Sequence, residues 1–334
     1  MLKNFIKPIF IVGSARNGTT NLENTIAALP QVAGVEHWLH YGSCESSLYM
    51  NHAYWGDLSE PEQYIRFLYQ YASSDYFQLA EGDITFHLNH KQDNFYDFFL
   101  DLMDCDAKRK DCRHWVTKFD PHFFMDDAER KRFLEVLDKR YNEVKFIRIQ
   151  RDFADAFKSY RNMEGKNHER RQRVVNLFPA LLLQASRYVL TYRKDIELIE
   201  DDVLKLSFNK YINERHQYIK EAAQYLDIHI DNWHTVDFDR FQINTSYVKH
   251  KSKGKLPKTV VILIPKLLWF LDKYPAVAQH IWKSYFRMKA KGDPTFKRLI
   301  KHTYFKDELL RDLTNTKANR LIQKIRSEDF TTFS

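Results

Sequence analysis

The stretch KPIFIVGSARNGTTN, residues 7–21, carries a short apolar run, PIFIV (8–12), closed by Gly13 and followed by a helical spacing of apolar residues at Leu22, Ile26 and Leu29. A brief apolar run bounded by glycine has the length and composition of a strand buried on both faces of a parallel sheet. The segment therefore reads as strand, loop and helix. Between strand and helix, Gly13-Ser14-Ala15-Arg16-Asn17-Gly18-Thr19-Thr20 keeps the spacing of the nucleotide triphosphatase loop, G-x-x-x-x-G-K-[ST], with Thr19 in place of the lysine. That lysine reaches the β and γ phosphates. Its loss, without a convincing apolar strand ending in a magnesium-binding aspartate, argues against a small-molecule kinase using ATP. What survives is a helix N-terminus with its backbone N–H groups, two hydroxyls and the cationic Arg16, a set suited to one terminal phosphate or sulfate. A glycine turn capped by threonine, with no ligand, is the plainer alternative for this segment alone.

Outward from this segment the pattern repeats. RHWVTKF (113–119), VKFIRIQR (144–151) and DVLKLSF (202–208) are candidate strands, separated by helical patterns that include AERKRFLEVLDKRY (128–141), a helix from about Asp152, FPALLLQASRYVLTYRKDIELIE (178–200) and ERHQYIKEAAQYLDI (214–228). Strands alternating with helices predict an α/β fold with a central parallel sheet flanked by helices. The apolar spacing in YIRFLYQYA and FYDFFLDLM adds helices between 60 and 106. KHKSKGKLPK is a lysine-rich linker, and 255–334 reads as a helical, basic C-terminal extension ending in the amphipathic DELLRDLTNTKANRLIQKIR. The expected division is thus 1–254 for the α/β domain and 255–334 for an extension packed on it.

The formal charge of the 334 residues is +8, and its distribution is uneven. Residues 35–106 hold thirteen Asp and Glu against Arg66 and Lys91, a net of −11, together with sixteen aromatic residues, so the remainder carries +19. No segment approaches the roughly 18 uninterrupted apolar residues of a membrane helix, because TVVILIPKLLWFL is broken by Pro265 and Lys266. The start shows no signal-peptide pattern. The three cysteines, Cys44, Cys105 and Cys112, have no metal or disulfide spacing, which fits a cytoplasmic setting. His37/His40 and His87/His90 have i, i+3 spacing but lack cysteine or carboxylate partners at a recognised distance, so no metal is expected.

A second anion site is suggested by VKFIRIQRDFADAFKSYRN, which supplies Arg151 at a strand end and Ser159 about two helical turns on. An arginine fork and a serine hydroxyl can hold a phosphate without metal. Such a pair is also common without a ligand, and only its company with the loop favours the functional reading.

Together, IFIVGSARNGTTNL and VKFIRIQRDFADAFKSY resemble, in order and spacing, the 5′- and 3′-phosphate signatures of sulfotransferases that use 3′-phosphoadenosine 5′-phosphosulfate. WVTKFDPHFF is similar to that family's motif with a lysine before a proline, and VLKLSFNKYINERHQYIKEAAQYLDI to the strand and helix after its adenine site. These matches cover about 90 residues of the first 230. Arg16 stands where the cytosolic branch has lysine and the Golgi tyrosylprotein branch has arginine.

The resemblance implies a P-loop-like sulfotransferase fold of the arginine-loop branch, with roles by position. Arg16, Asn17, Gly18, Thr19 and Thr20 would bind the 5′-phosphosulfate, and Arg151 and Ser159 the 3′-phosphate. Phe208 would lie near adenine, and Lys253-Gly254 would reach the 3′-phosphate. The family's tryptophan after the two threonines is Asn21 here, which leaves one wall of the adenine pocket unassigned. Lys118 matches the lysine that meets the bridging oxygen, a task shared with Arg16. The base by resemblance is Glu36, with His37 and Asp120 as alternatives. KLPKTV resembles in part the family's dimerisation motif, but Ile264 holds its final acidic place, so the oligomeric state stays open.

In this family the residues between the first helix and the lysine motif cover the acceptor, here the acidic, aromatic stretch. Carboxylates attract ammonium or guanidinium groups, and aromatic faces add cation–π contacts. The expected acceptor is therefore a small cationic molecule, such as a saxitoxin-type guanidinium alkaloid or an amino-bearing sugar, with solvated helix faces as the alternative use of the carboxylates. The basic region after 249 forms no recognised nucleic-acid signature, and no nucleic-acid partner is expected.

Overall fold

In a computed structural model, the residues described are 5–14, 16–34, 95–119, 127–165, 181–183, 185, 186, 188–190, 203–233, 236, 258–290, 320 and 323. The first strand, β1 (Lys7–Val12), is buried along nearly its whole length and leads through the glycine loop into α1 (Thr19–Ala27). β2 (Val32–Ala33) follows, then α2 (Phe95–Arg109), β3 (His114–Phe119), α3 (Asp127–Arg140), β4 (Lys145–Gln150) and α4 (Phe153–Gly165). β5 (Val203–Ser207) runs directly into α5 (Phe208–Asn213) and α6 (Arg215–Tyr225), and α7 (Lys258–Lys273) is separated from α8 (Pro275–Ala290) by Tyr274 alone. The five strands form one sheet in the order β2-β3-β1-β4-β5, with every pair parallel.

The expected central parallel sheet flanked by helices is what the chain forms. Its register places Ile11 of β1 opposite Lys118 of β3 and Ile147 of β4, so β1 lies at the centre. Alternation along β1 explains why neither face reaches water. Ile9 and Ile11 enter a cluster with Leu22 and Ile26 of α1, Tyr211 of α5 and Ile219 and Ala222 of α6. Phe10, pointing the other way, meets an aromatic layer, with ring centroids of Trp115 and Phe119 at 5.3 Å, Phe146 at 5.5 Å and Phe133 at 5.8 Å. Burying each such side chain contributes roughly 1.5 to 3 kcal/mol.

Two local readings change. A fifth strand, β2, is present, and two residues carry no readable periodicity. Phe208 starts α5 instead of ending a strand. Pro265 lies inside the continuous α7. The inner stripe of α7, Ile264, Leu268 and Leu271, packs with Ala156 and Phe157 of α4 and with Leu181 and Tyr188 of the helical residues between 181 and 190. Its outer face leaves Ile262, Trp269 and Phe270 exposed. No described helix is long and apolar enough to cross a membrane.

Candidate active site

The C-terminal ends of β1, β3, β4 and β5 meet on one side of the sheet, the position where open parallel sheets bind ligands. The loop after β1 is held against β4 and α5 by its glycines. A Cβ on Gly13 would lie 2.7 Å from the Ile149 carbonyl oxygen, and one on Gly18 would lie 2.4 Å from Phe208 Cδ2. Gly18 has φ 96°, and Arg16 has φ 73°, in the left-handed region that non-glycine residues enter at a cost. The Asn17 N–H donates to the Ser14 carbonyl at 3.1 Å and closes the turn. Gly18 is the N-cap of α1 without a side-chain cap, and no acidic residue occupies the first turn. The first N–H groups of that helix have no intrahelical acceptor, so its positive end faces the loop.

Around this helix start the predicted donors come together from distant parts of the chain. Arg16 Nε donates to Ser159 Oγ at 3.0 Å across 143 positions. The Arg151 guanidinium carbon lies 4.9 Å from the centroid of Phe208, whose ring also packs on Gly18. Lys118, on the strand on the other side of β1, donates from Nζ to Thr20 Oγ1 at 3.1 Å. Loop, arginine, serine, lysine and aromatic ring thus form one constellation of three cations, three hydroxyls and a helix N-terminus. Buried Asn17 has a side-chain oxygen, Oδ1, with no hydrogen-bond partner among the described residues. Glu36, His37, Asp120, Lys253 and Gly254 lie outside the described residues.

Two features of the site were not read from the sequence. Asn21, at the departure from the resembled pattern, accepts a 2.8 Å hydrogen bond from the Tyr211 hydroxyl through Oδ1, while Arg215 Nη2 donates to Thr25 Oγ1 at 2.9 Å. This polar seam joins α1 to α5 and α6. Burial pushes the Tyr211 phenol above its usual range, against the lowering effect of its hydrogen bond with Thr25. The second feature is Glu23, fully buried on α1, whose Oε1 accepts the Lys118 backbone N–H at 2.9 Å. The signal available for it was an acid three residues after Thr20, between the buried Leu22 and Ile26.

The acidic stretch is also redistributed. Asp97, Asp101 and Asp104 of α2 converge on Arg140, at 3.8 Å for Asp97 and 2.8 Å for Asp104, and Asp106 pairs with Lys110 at 2.7 Å. Tyr96, Phe98 and Phe99 are core residues. The end of the stretch that was read as acceptor cover is therefore a helix whose aromatic side joins the core and whose carboxylates are paired with Arg140 and Lys110. Nine carboxylates remain between 35 and 94. Among the described residues, no group of three or more His, Cys, Asp or Glu is placed to hold a metal ion.

Residues 8–232 match a profile described as the sulfotransferase family. Among solved structures, the sulfotransferase domain from the Synechococcus PCC 7002 olefin synthase is similar at 16% identity, covering 79% of this chain and 95% of that one, with a TM-score of 0.43. The sulfotransferase domain from the curacin biosynthetic pathway is similar at 15% identity over 68% and 75% of the two chains, with a TM-score of 0.41. Sulfotransferase STF1 from Mycobacterium tuberculosis H37Rv is similar at 15% identity over 79% and 76%, with a TM-score of 0.42. No curated protein matches the chain.

Proposed function

The chain belongs to the sulfotransferase family, and on that premise we propose that it moves a sulfuryl group from 3′-phosphoadenosine 5′-phosphosulfate to a hydroxyl or nitrogen of a small molecule. The observation that carries the donor reading is the 3.0 Å hydrogen bond between Arg16 and Ser159, which joins the two segments read separately as anion sites. A donor with a 5′-phosphosulfate and a 3′-phosphate needs two anchors close together. The constellation of Arg16, Arg151, Ser159, Thr19 and Thr20 at an uncapped helix N-terminus fits both anionic groups. ATP lacks the 3′-phosphate and would leave the second anchor unused.

In the proposed reaction the acceptor atom bonds to sulfur as the bridging sulfur–oxygen bond breaks. The acceptor proton passes to a base, with the Glu36 carboxylate as the candidate and the Asp120 carboxylate or the His37 imidazole as the alternatives. 3′-Phosphoadenosine 5′-phosphate leaves with the electron pair of the broken bond. Negative charge grows on the bridging oxygen, and the Lys118 ammonium beside Thr20, with Arg16, is the source of compensating charge. Selection of a cationic acceptor rests on the nine carboxylates and the aromatic residues between 35 and 94.

Thermal stabilisation by 3′-phosphoadenosine 5′-phosphate, compared with ADP and AMP, tests the donor. A ligand at about a hundred times its Kd stabilises the native state by about 2.7 kcal/mol, enough for a readable rise in Tm. The bisphosphate is expected to give that rise and ADP little. Arg151→Ala is expected to weaken bisphosphate binding by about 1.5 to 3 kcal/mol, the usual worth of a charged hydrogen bond, with little effect on ADP. Equal stabilisation by ADP would sink the donor assignment. A panel of hydroxylated acceptors checks the other half, and neutral phenols sulfated much faster than cationic alcohols would overturn the acceptor class.

A further inference from the structure

We propose that Glu23 is a positioning residue that holds Lys118 from its main chain, so that one face of α1 grips this lysine at both ends. β2 pairs with β3 only at His114 and Trp115, so beyond Trp115 the outer edge of β3 has no strand beside it among the described residues. At Lys118 the edge N–H meets a side chain instead, Glu23 Oε1 at 2.9 Å. Three residues earlier on the same helix, Thr20 Oγ1 accepts from the Lys118 ammonium at 3.1 Å. Residues three apart lie on one helix face, so the spacing from Thr20 to Glu23 is what lets a single helix reach both ends of one lysine.

The chemistry of the two groups says why this arrangement has a use. A lysine side chain is long and flexible, and its ammonium acts as a point charge whose value at a site depends on how firmly it is placed. Glu23 is fully buried and Lys118 is 4% exposed, so the main-chain bond is sheltered from competing water, while the bond to Thr20 is partly buried. A buried carboxylate is costly unless it is hydrogen-bonded, and a charge-assisted bond to a backbone N–H is stronger than a neutral one. The same α1 carries its N-terminus and Thr20 at the loop. An anion drawn to that N-terminus therefore meets an ammonium fixed to the same helix. The inference rests on the reading of Lys118 as the group facing the leaving phosphate.

Three variants decide it, assayed in the full chain. Glu23→Asp keeps the charge but withdraws the carboxylate by one methylene, whereas Glu23→Gln keeps an acceptor at the same reach and removes the charge. Donor turnover with water as acceptor, which yields sulfate and 3′-phosphoadenosine 5′-phosphate, is expected to fall at least tenfold in Glu23→Asp. The Kd for the bisphosphate should stay within threefold, and Glu23→Gln should rescue most of the turnover. The reverse order, Asp active and Gln inactive, would mean that the charge and not the main-chain bond matters, and overturns the proposal. Equal loss in both variants, a parallel loss of bisphosphate affinity or no loss in Glu23→Asp also overturns it.

A second measurement needs no turnover. Competitive acetylation, read at each lysine by mass spectrometry, should label Lys118 at least fivefold faster in Glu23→Asp and within twofold of wild type in Glu23→Gln. Lys145, paired with Glu143 at 2.9 Å, is the internal control. Faster labelling at Lys145 as well marks general loosening or failure to fold, and counts against the proposal. Lys118→Ala with undiminished donor turnover rejects the role of Lys118 itself, an outcome separate from the labelling result.

Discussion

At Gly18 two constraints coincide, a left-handed φ of 96° and a Phe208 ring that a Cβ would meet at 2.4 and 2.5 Å. A methyl group there strains the backbone and pushes the ring away from Arg151, which lies 4.9 Å from its centroid. Gly18→Ala is therefore expected to cost about 1 to 3 kcal/mol of stability in urea unfolding. It should also weaken 3′-phosphoadenosine 5′-phosphate binding at least tenfold by calorimetry. A Phe208→Ala background, which removes the obstructing ring, should lessen the stability cost of the added methyl group but not restore binding. Unchanged binding in Gly18→Ala would separate the loop from the Arg151 anchor. The residue itself was legible as the last glycine of a phosphate-loop spacing. Its partner was not, because only the strand order β1-β4-β5 brings position 208 over position 18.

Among the elements, α2, β3 and α3 are tied by one buried carboxylate. Asp104 accepts from Trp115 Nε1 at 2.8 Å, from the Tyr141 hydroxyl at 3.0 Å and from Arg140 Nη2 at 2.8 Å. Burial pushes the Tyr141 phenol far above its usual range, with the Asp104 charge adding to the effect. Removing the carboxylate takes this acceptor from two buried donors, Trp115 Nε1 and the Tyr141 hydroxyl, and takes from the partly buried Arg140 one of its three carboxylate partners. Asp104→Ala is expected to destabilise the fold by about 3 to 5 kcal/mol in chemical denaturation, and exposed Asp155→Ala by less than about 1 kcal/mol. A loss below about 1 kcal/mol for Asp104→Ala would show that the network relaxes around the gap. The elements were readable because PIFIV, RHWVTKF and VKFIRIQR are apolar runs of strand length between helical patterns. The carboxylates of α2 misled for a physical reason. Charge counted along a sequence carries no sign of direction, and Asp97, Asp101 and Asp104 share a stripe that faces Arg140. Glu23 was hidden for the complementary reason, since its partner is a backbone N–H left open by a strand only two residues long.

Across the molecule, the two ends of the sheet divide the work. The C-terminal ends carry the cations of the candidate site, and the N-terminal ends carry charge pairs and a buried histidine. Lys7, at the start of β1, pairs with Glu143 at 2.6 Å and with Asp227 at 3.7 Å. His114 opens β3 beside them, and burial, followed by the nearby Lys7 charge, lowers its pKa from 6.5 to about 4. The folded protein therefore keeps this imidazole neutral down to about pH 4, while the unfolded chain takes up its proton near pH 6.5. Between those values the unfolded state binds more protons, so stability falls as the pH falls. The contribution is fully present above about pH 6.5 and lost progressively toward pH 4, a change of about 3 kcal/mol at 1.36 kcal/mol per pKa unit. Urea unfolding at intervals from pH 7.5 to 4.5 should show the decline, and His114→Gln should flatten it within that window while lowering stability at pH 7.5. Because His114 lies at the end of the sheet opposite the loop, the variant should leave the Kd for 3′-phosphoadenosine 5′-phosphate at pH 7.5 within about twofold. An unchanged slope in His114→Gln would show that the acid sensitivity does not come from His114.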